Sequence, residues 1–420
     1  MSARLHRLAS GLRVVCDPSP EWETLAISVV AGRGARSETP QQSGWAHLLE
    51  HMVFKGAGPR NARQLVEAIE AEGGQINAAT GYERTSFQVR ALKGGLALGV
   101  EVLADLVQRP VLDAEELERE KGVVGQEIAE AADTPDDRVF ELAQGRGFAG
   151  HALGRPILGE TATVAAADSA ALGAFRARQY HPAELVVSAC GAIDEDQLLA
   201  LVERAFEASA PGEPETLAPA EFGGGAVSEA RRLEQAHSVL LLPGVGARDP
   251  AYFAQRLFAE ALGGGMSSRL FQEAREKQGL AYNIDAYAES YTDVGVLGIY
   301  AGTAAADADQ AAKVCAQQVL ALIEGMDAAE LARSKAQLKA HLFMARESPL
   351  ARAEQAAGQA LIFQRLFSPA DIAGAIDEVS LADVRAFGER VLAPRRTASA
   401  VLGPKRALNA GKVFGESLFA

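Results

Sequence analysis

AFRARQYHPAELVVSACG, residues 174–191, and AFGERVLAPRRTASAVLG, residues 386–403, are two writings of one pattern. Each reads as the end of a helix, a proline, and an apolar strand that closes on glycine. The offset is 386 − 174 = 212 residues. A second pair agrees: LDAEELEREKGVVGQEI from Leu112 and MDAAELARSKAQLKAHL from Met326 lie 326 − 112 = 214 apart, with Asp-Ala, Glu-Leu, Arg and Lys in matching places. Two nearly equal offsets describe a duplicated domain of about 200 residues, inside the usual domain range.

Working outward, the copies are expected at 1–207 and 228–420. Residues 208–227, ASAPGEPETLAPAEFGGGAV, lack periodicity and read as a linker. Strand-like runs fall at Gly11–Asp17, Thr24–Gly32, Thr85–Leu92 and Glu184–Gly191 in the first copy. Counterparts in the second are Ser238–Pro243, Val294–Gly302 and Thr397–Gly403. Helix-like runs fall at Ala62–Glu72, Leu96–Gln108, Asp113–Ala131 and Ala170–Gln179. The expected class is α+β: two homologous domains, each a mostly antiparallel sheet with helices packed on one face.

A chain of 420 residues with 48% apolar and 23% charged residues suits two globular cores. No apolar run approaches the roughly 20 residues of a membrane helix, so no membrane partner is expected. The opening MSARLHRLASGLRVVCD has basic residues but no apolar core of a signal peptide. Cys16, Cys190 and Cys315 are scattered and odd in number, which argues against a disulfide framework or thiolate metal site. A bacterial cytoplasm is the expected compartment. The net charge of −14 makes nucleic acid a poor partner. It leaves open a plain soluble surface or a negative cavity that attracts basic peptides.

Residues 47–51 read His-Leu-Leu-Glu-His, with Gly44 before and Lys55-Gly56 after as the brackets of a short helix. Positions four apart share a helix face, so His47 and His51 can grip one metal. Glu50 points to the same side, while Leu48, Leu49, Met52 and Val53 can pack the other. A catalytic zinc site keeps three protein ligands and one open position. The helix Asp113–Ala131 offers Glu120 and Glu127, two turns apart on one face: one can bind metal, the other can orient the site. Glu50 can then take a proton from the activated water. The second copy has no such motif. Its equivalent helix reads AQRLFAEALGGG, and His341 and Ser334 stand in the places of Glu127 and Glu120. One copy is therefore expected to carry the metal and the other to recognise substrate or complete the chamber.

At these residues the chain resembles the inverzincin zinc metallopeptidases of the pitrilysin and insulinase family, and most of all the mitochondrial-processing-peptidase branch and its bacterial relatives. The stretches that carry the likeness are GWAHLLEHMVFKG, GGQINAATGYERTSF, ELEREKGVVGQEIAEAADTPDD, HALGRPILG and LGGGMSSRLFQEAREKQGLAY. The resemblance places the third ligand 76 residues after the second histidine, which is Glu127 (51 + 76 = 127), and an accessory glutamate at Glu120. It makes Glu50 the general base and implies one Zn2+ per chain. It implies that peptides add as a strand to Gln75–Thr80, with Asn77, Ala78, Ala79 and Thr80 as the binding residues, the first two nearest the metal. It further implies that Arg275 and Tyr282 contact substrate near the scissile bond and steady the oxyanion.

The departures are small: Gly125 and Gln126 replace bulkier or acidic residues, and only Gly263–Gly265 stand where the non-catalytic processing-peptidase subunit has a long glycine-rich loop. The implied activity is a zinc-dependent endopeptidase that cleaves short or unfolded peptides, basic ones among them. It would work inside a closed homodimeric chamber, with Arg275 and Tyr282 acting in trans. The alternatives are a non-catalytic core or assembly subunit of a larger complex, and the catalytic subunit of a heterodimer.

Overall fold

Several strands of this chain carry no polar–apolar alternation, and that decides how the layers stack. A strand buried residue after residue must be covered on both faces. The computed structural model describes residues 3–206 and 216–420, and resolves into two compact units. The first comprises Met1–Ile128, Pro156–Ala218 and Phe343–Ser368. The second comprises Ala129–Arg155, Pro219–Leu342 and Pro369–Ala420.

In the first unit β1 (Arg4–Arg7), β2 (Arg13–Pro18), β3 (Thr24–Ala31), β4 (Gln75–Thr80), β5 (Thr85–Leu92) and β6 (Leu185–Gly191) form one sheet. The order is β1-β2-β6-β3-β5-β4. Only β2 and β6 run parallel; the other pairs are antiparallel. All seven residues of β6 are buried, as are seven of the eight in β3. One face carries the main core, in which Ile27, Val29, Phe87 and Val89 meet helix α1 (Trp45–Val53) and the helix Leu96–Gln108. The opposite face carries Val15, Val30 and Val186, and these are covered by Ala356, Ala357 and Ala360.

The second unit has β7 (Gly225–Ala230), β8 (Gln235–Val245), β9 (Ala281–Ser290), β10 (Val294–Ala304) and β11 (Ala398–Gly403), in the order β9-β10-β8-β11-β7. One pair, β7 with β11, is parallel. The mostly antiparallel α+β class read from the sequence is the one observed, but helices cover the first sheet on both faces rather than on one. Ranges agree within about three residues for every strand and helix expected, from Arg13–Pro18 to Ala398–Gly403.

The units are not the two contiguous halves of the chain. α2 (Ala114–Asp133) is followed by α3 (Pro135–Gly147), and α3 packs on β8 and β11 of the second sheet. Conversely α6 (Pro349–Phe363), which follows α4 (Tyr252–Gly263) and α5 (Ala328–Ala345), packs on β2, β3 and β6 of the first. Each sheet thus takes the cover of one face from the other half of the sequence. Of the expected linker, 208–215 lie outside the described residues, and residues 225–227 open β7, held by parallel pairing to β11.

α6 is fastened by charge. Arg352 donates to both carboxylate oxygens of Asp17, at 2.8 and 2.6 Å, and lies 5.1 Å from the Trp22 ring. The Asp17 side chain is 3% exposed, so this pair is shut from solvent on the acid's side. Arg352→Met strands a buried carboxylate and is expected to cost about 3–5 kcal/mol in urea unfolding, and an added Asp17→Leu to recover much of it.

Candidate metal centre

α1 begins where the chain must turn sharply. Gly44 has φ of 89°, and a Cβ there would lie 2.5 Å from the Leu158 carbonyl oxygen, so only glycine fits. The first amides of the helix are satisfied from outside. Glu38, 5% exposed, accepts from Gly44 N at 3.0 Å and Ala46 N at 2.7 Å. A carboxylate at this end also complements the helix dipole. Leu48, Leu49, Met52 and Val53 are fully buried behind the helix, as expected from the sequence. His47, Glu50 and His51 are left on the opposite side.

α2 starts with Asp113 accepting from the amides of Glu115 and Glu116 at 2.9 and 3.0 Å. Its buried face is Leu117, Glu120 and Val124, a three-and-four spacing that the next turn continues with Glu127. Glu120 therefore looks inward, and Glu127, half-buried, stands on the same face.

The two helices bring His47, His51 and Glu127 together, with one ligand atom of each within 4.8 Å of the others. Glu127 Oε2 lies 3.7 Å from His47 Nε2 and 3.5 Å from His51 Nε2. Both gaps exceed the range of a hydrogen bond. Yet Oε2 is shielded from solvent and has no hydrogen-bond partner among the described residues, a costly state for a carboxylate oxygen. Bonds of about 2.0–2.1 Å around a tetrahedral zinc set ligand atoms roughly 3.3 Å apart. The spacing observed is close to that, so the three donors fit a zinc-sized ion and fit each other poorly.

The surrounding residues sort into roles. Glu120 Oε2 lies 3.0 Å from His51 Nδ1, and its other oxygen 2.7 Å from Lys55 Nζ. Burial works against charge on Glu120, but hydrogen bonds from Lys55 and His51 outweigh it and hold the acid below its usual range. Glu50 shows the reverse balance. Burial pushes it up, and a hydrogen bond from Thr80 Oγ1 at 2.5 Å offsets only part of that. A carboxylate pushed upward is the better proton acceptor. Burial, then the charge of nearby His51, pulls His47 down to about 4, so it is neutral and free to ligate at ordinary pH.

β4 is the edge of its sheet, and Asn77 and Ala79 are exposed on it while Ala78 and Thr80 are half-buried. A groove of about 550 Å³ runs beside it, lined by Phe54, Glu70, Asn77 and Arg90 among others. Lys55 and the hydroxyl contact between Thr80 and Glu50 were not legible in the sequence; no spacing rule joins either pair. Arg275 and Tyr282 belong to the second unit. Arg275 is exposed on the wide helical turn Phe271–Lys277, its guanidinium 4.7 Å from the Phe271 ring centre. Tyr282 is 81% exposed on β9. In the second copy Ser334 bonds back to the Glu330 carbonyl, and His341 is exposed.

This combination of two sandwich-like α+β units and an imidazole–imidazole–carboxylate cluster beside a buried glutamate defines a candidate hydrolytic metal site. The family comparisons agree with it. The description Insulinase (Peptidase family M16) matches residues 13–161, and Peptidase M16 inactive domain matches 167–338. An uncharacterized zinc protease of Streptomyces coelicolor is 34% identical over 98% of this chain and 92% of its own length. One of Bacillus subtilis is 36% identical over 81% of this chain and 83% of its own. A protease from Helicobacter pylori shares the fold at a TM-score of 0.88 with 20% identity, covering 96% of this chain and 99% of that one. The chain belongs to the insulinase family of peptidases, of pitrilysin type.

One consequence can be measured without metal. Between pH 6.5 and about 4 the unfolded chain takes up a proton at His47 that the folded chain refuses. Stability of the metal-free protein should therefore fall as pH drops through that window. Thermal melts in chelator should show this slope, and His47→Gln should flatten it.

Proposed function

We propose that this chain is a zinc-dependent endopeptidase, with His47, His51 and Glu127 as ligands of one zinc ion and Glu50 as general base. The observation that carries the reading is the orphaned Glu127 oxygen facing two imidazole nitrogens across ion-sized gaps. Zinc bound there supplies a Lewis acid that activates water and polarises a carbonyl. The protein's own residues do the rest. Thr80 holds one oxygen of Glu50, leaving the other to receive the proton of the attacking water and deliver it to the leaving amine. Glu120 orients His51 through Nδ1.

The substrate is an extended peptide of short or unfolded character, basic ones included. It adds to the edge of β4 along Asn77, Ala78, Ala79 and Thr80, where backbone hydrogen bonds grip any sequence. The open edge and the groove beside it support this. The working form is a homodimer enclosing the substrate, in which Arg275 and Tyr282 reach the scissile bond from a second copy of the chain and steady the oxyanion. The exposure of both side chains leaves them available for that. A bacterial cytoplasm is the proposed compartment. No helix among the described residues is long and apolar enough to cross a membrane. The reading as a non-catalytic assembly subunit gains nothing from the site, because every donor and the base are present.

Glu50→Gln should keep its zinc and cut kcat/KM on an unstructured peptide by roughly 10²–10⁴-fold. Glu127→Ala should lose both zinc and activity. Metal analysis beside a peptide assay separates the two. A Glu50→Gln variant as fast as the wild type would end the proposal.

A further inference from the structure

Two imidazoles face Glu127, but their far nitrogens are treated differently. His47 Nδ1 is shielded from solvent and has no hydrogen-bond partner among the described residues. His51 Nδ1 meets Glu120 Oε2 at 3.0 Å. A histidine whose Nδ1–H is held by a carboxylate must offer its Nε2 lone pair, the nitrogen that faces Glu127 Oε2 at 3.5 Å. The hold of Glu120 therefore sets the tautomer and ring angle of one of the two imidazoles, and no such hold exists for the other.

A carboxylate can do this only if it is itself fixed. Glu120 is 7% exposed and sits on the inward face of α2. Its second oxygen, Oε1, is taken by Lys55 Nζ at 2.7 Å. Lys55 comes four residues after His51, just past the end of α1, where its backbone amide bonds to Met52 O at 3.1 Å. The ammonium and the imidazole thus leave the same short stretch of chain and clamp one carboxylate between them, one oxygen each. A lysine–glutamate pair on an open surface contributes little. Here the acid is shut from water, and the pair closes a chain of contacts that ends at a ligand atom.

We propose that Lys55 is a positioning residue of the metal centre: its bond to Glu120 Oε1 fixes the carboxylate so that Oε2 holds His51 in the ligating tautomer. This rests on the assignment of His47, His51 and Glu127 as metal ligands. The resulting order is Lys55, Glu120, His51, metal, with no contact between Lys55 and substrate required. Metal affinity is thus built into the turn after α1 as well as into the ligands.

The test is zinc affinity of the metal-free full chain by chelator competition, with no peptide present. The set is wild type, Lys55→Met, Lys55→Arg, Glu120→Gln, the Lys55→Met/Glu120→Gln double variant and His47→Ala, each with its melting temperature. Loss of an outer contact of this kind weakens metal binding roughly 10–100-fold. Lys55→Met should fall in that range, with a metal-free melting temperature lowered by the stranded carboxylate but still well above the assay temperature, and Lys55→Arg should restore most of the affinity. The double variant should bind no more weakly than Glu120→Gln alone, because Lys55 acts only through that carboxylate. Wild-type affinity in Lys55→Met, or additive losses in the double variant, overturns the proposal while a zinc-free His47→Ala leaves the ligand assignment standing. Wild-type affinity in His47→Ala overturns both.

Discussion

Burying a carboxylate oxygen without a donor is expensive, and a fold tolerates it only where something else repays the cost. Glu127 Oε2 is such an atom, set opposite two imidazole nitrogens that it does not reach. Nearby side chains show what a satisfied acid looks like in the same neighbourhood: Glu120 has two donors and Glu38 has two amides. The contrast is local and internal. It supports the proposed cation between α1 and α2.

Much of the first unit serves that convergence. Glu38 and Gly44 fix where α1 starts, four buried apolar side chains fix its rotation, and Asp113 fixes where α2 starts. An error of one residue in either helix would turn a proposed ligand by about 100°. The edge strand then ties the proposed base to the sheet, because Thr80 at the end of β4 holds Glu50. Strand, proposed base and proposed ligands are thereby held in one constellation, as a hydrolytic site would require.

The duplication was legible because it needs only matching offsets, and it led to two sheets with equivalent strands. Within the site, the His-x-x-Glu-His spacing and the seven-residue step from Glu120 to Glu127 were legible because helical periodicity alone places them. The exchange of α3 and α6 was not. An amphipathic or alanine-rich helix such as Pro349–Phe363 announces that it is buried, but carries no mark of which sheet it covers. The unbroken burial of β3 and β6 could have signalled that a second cover was needed. β9, with its mixed exposure, and β7, inside a stretch rich in glycine and proline, gave no clean alternation. Lys55 and the Thr80 hydroxyl act through contacts between distant elements, which no local pattern encodes.

X-ray absorption at the zinc edge on the zinc-loaded protein tests the central claim most directly. Two imidazole nitrogens with the remaining donors oxygen, all at about 2.0–2.1 Å and with no sulfur, is the shell this account requires. Sulfur scattering near 2.3 Å, or a shell without imidazole, would contradict it.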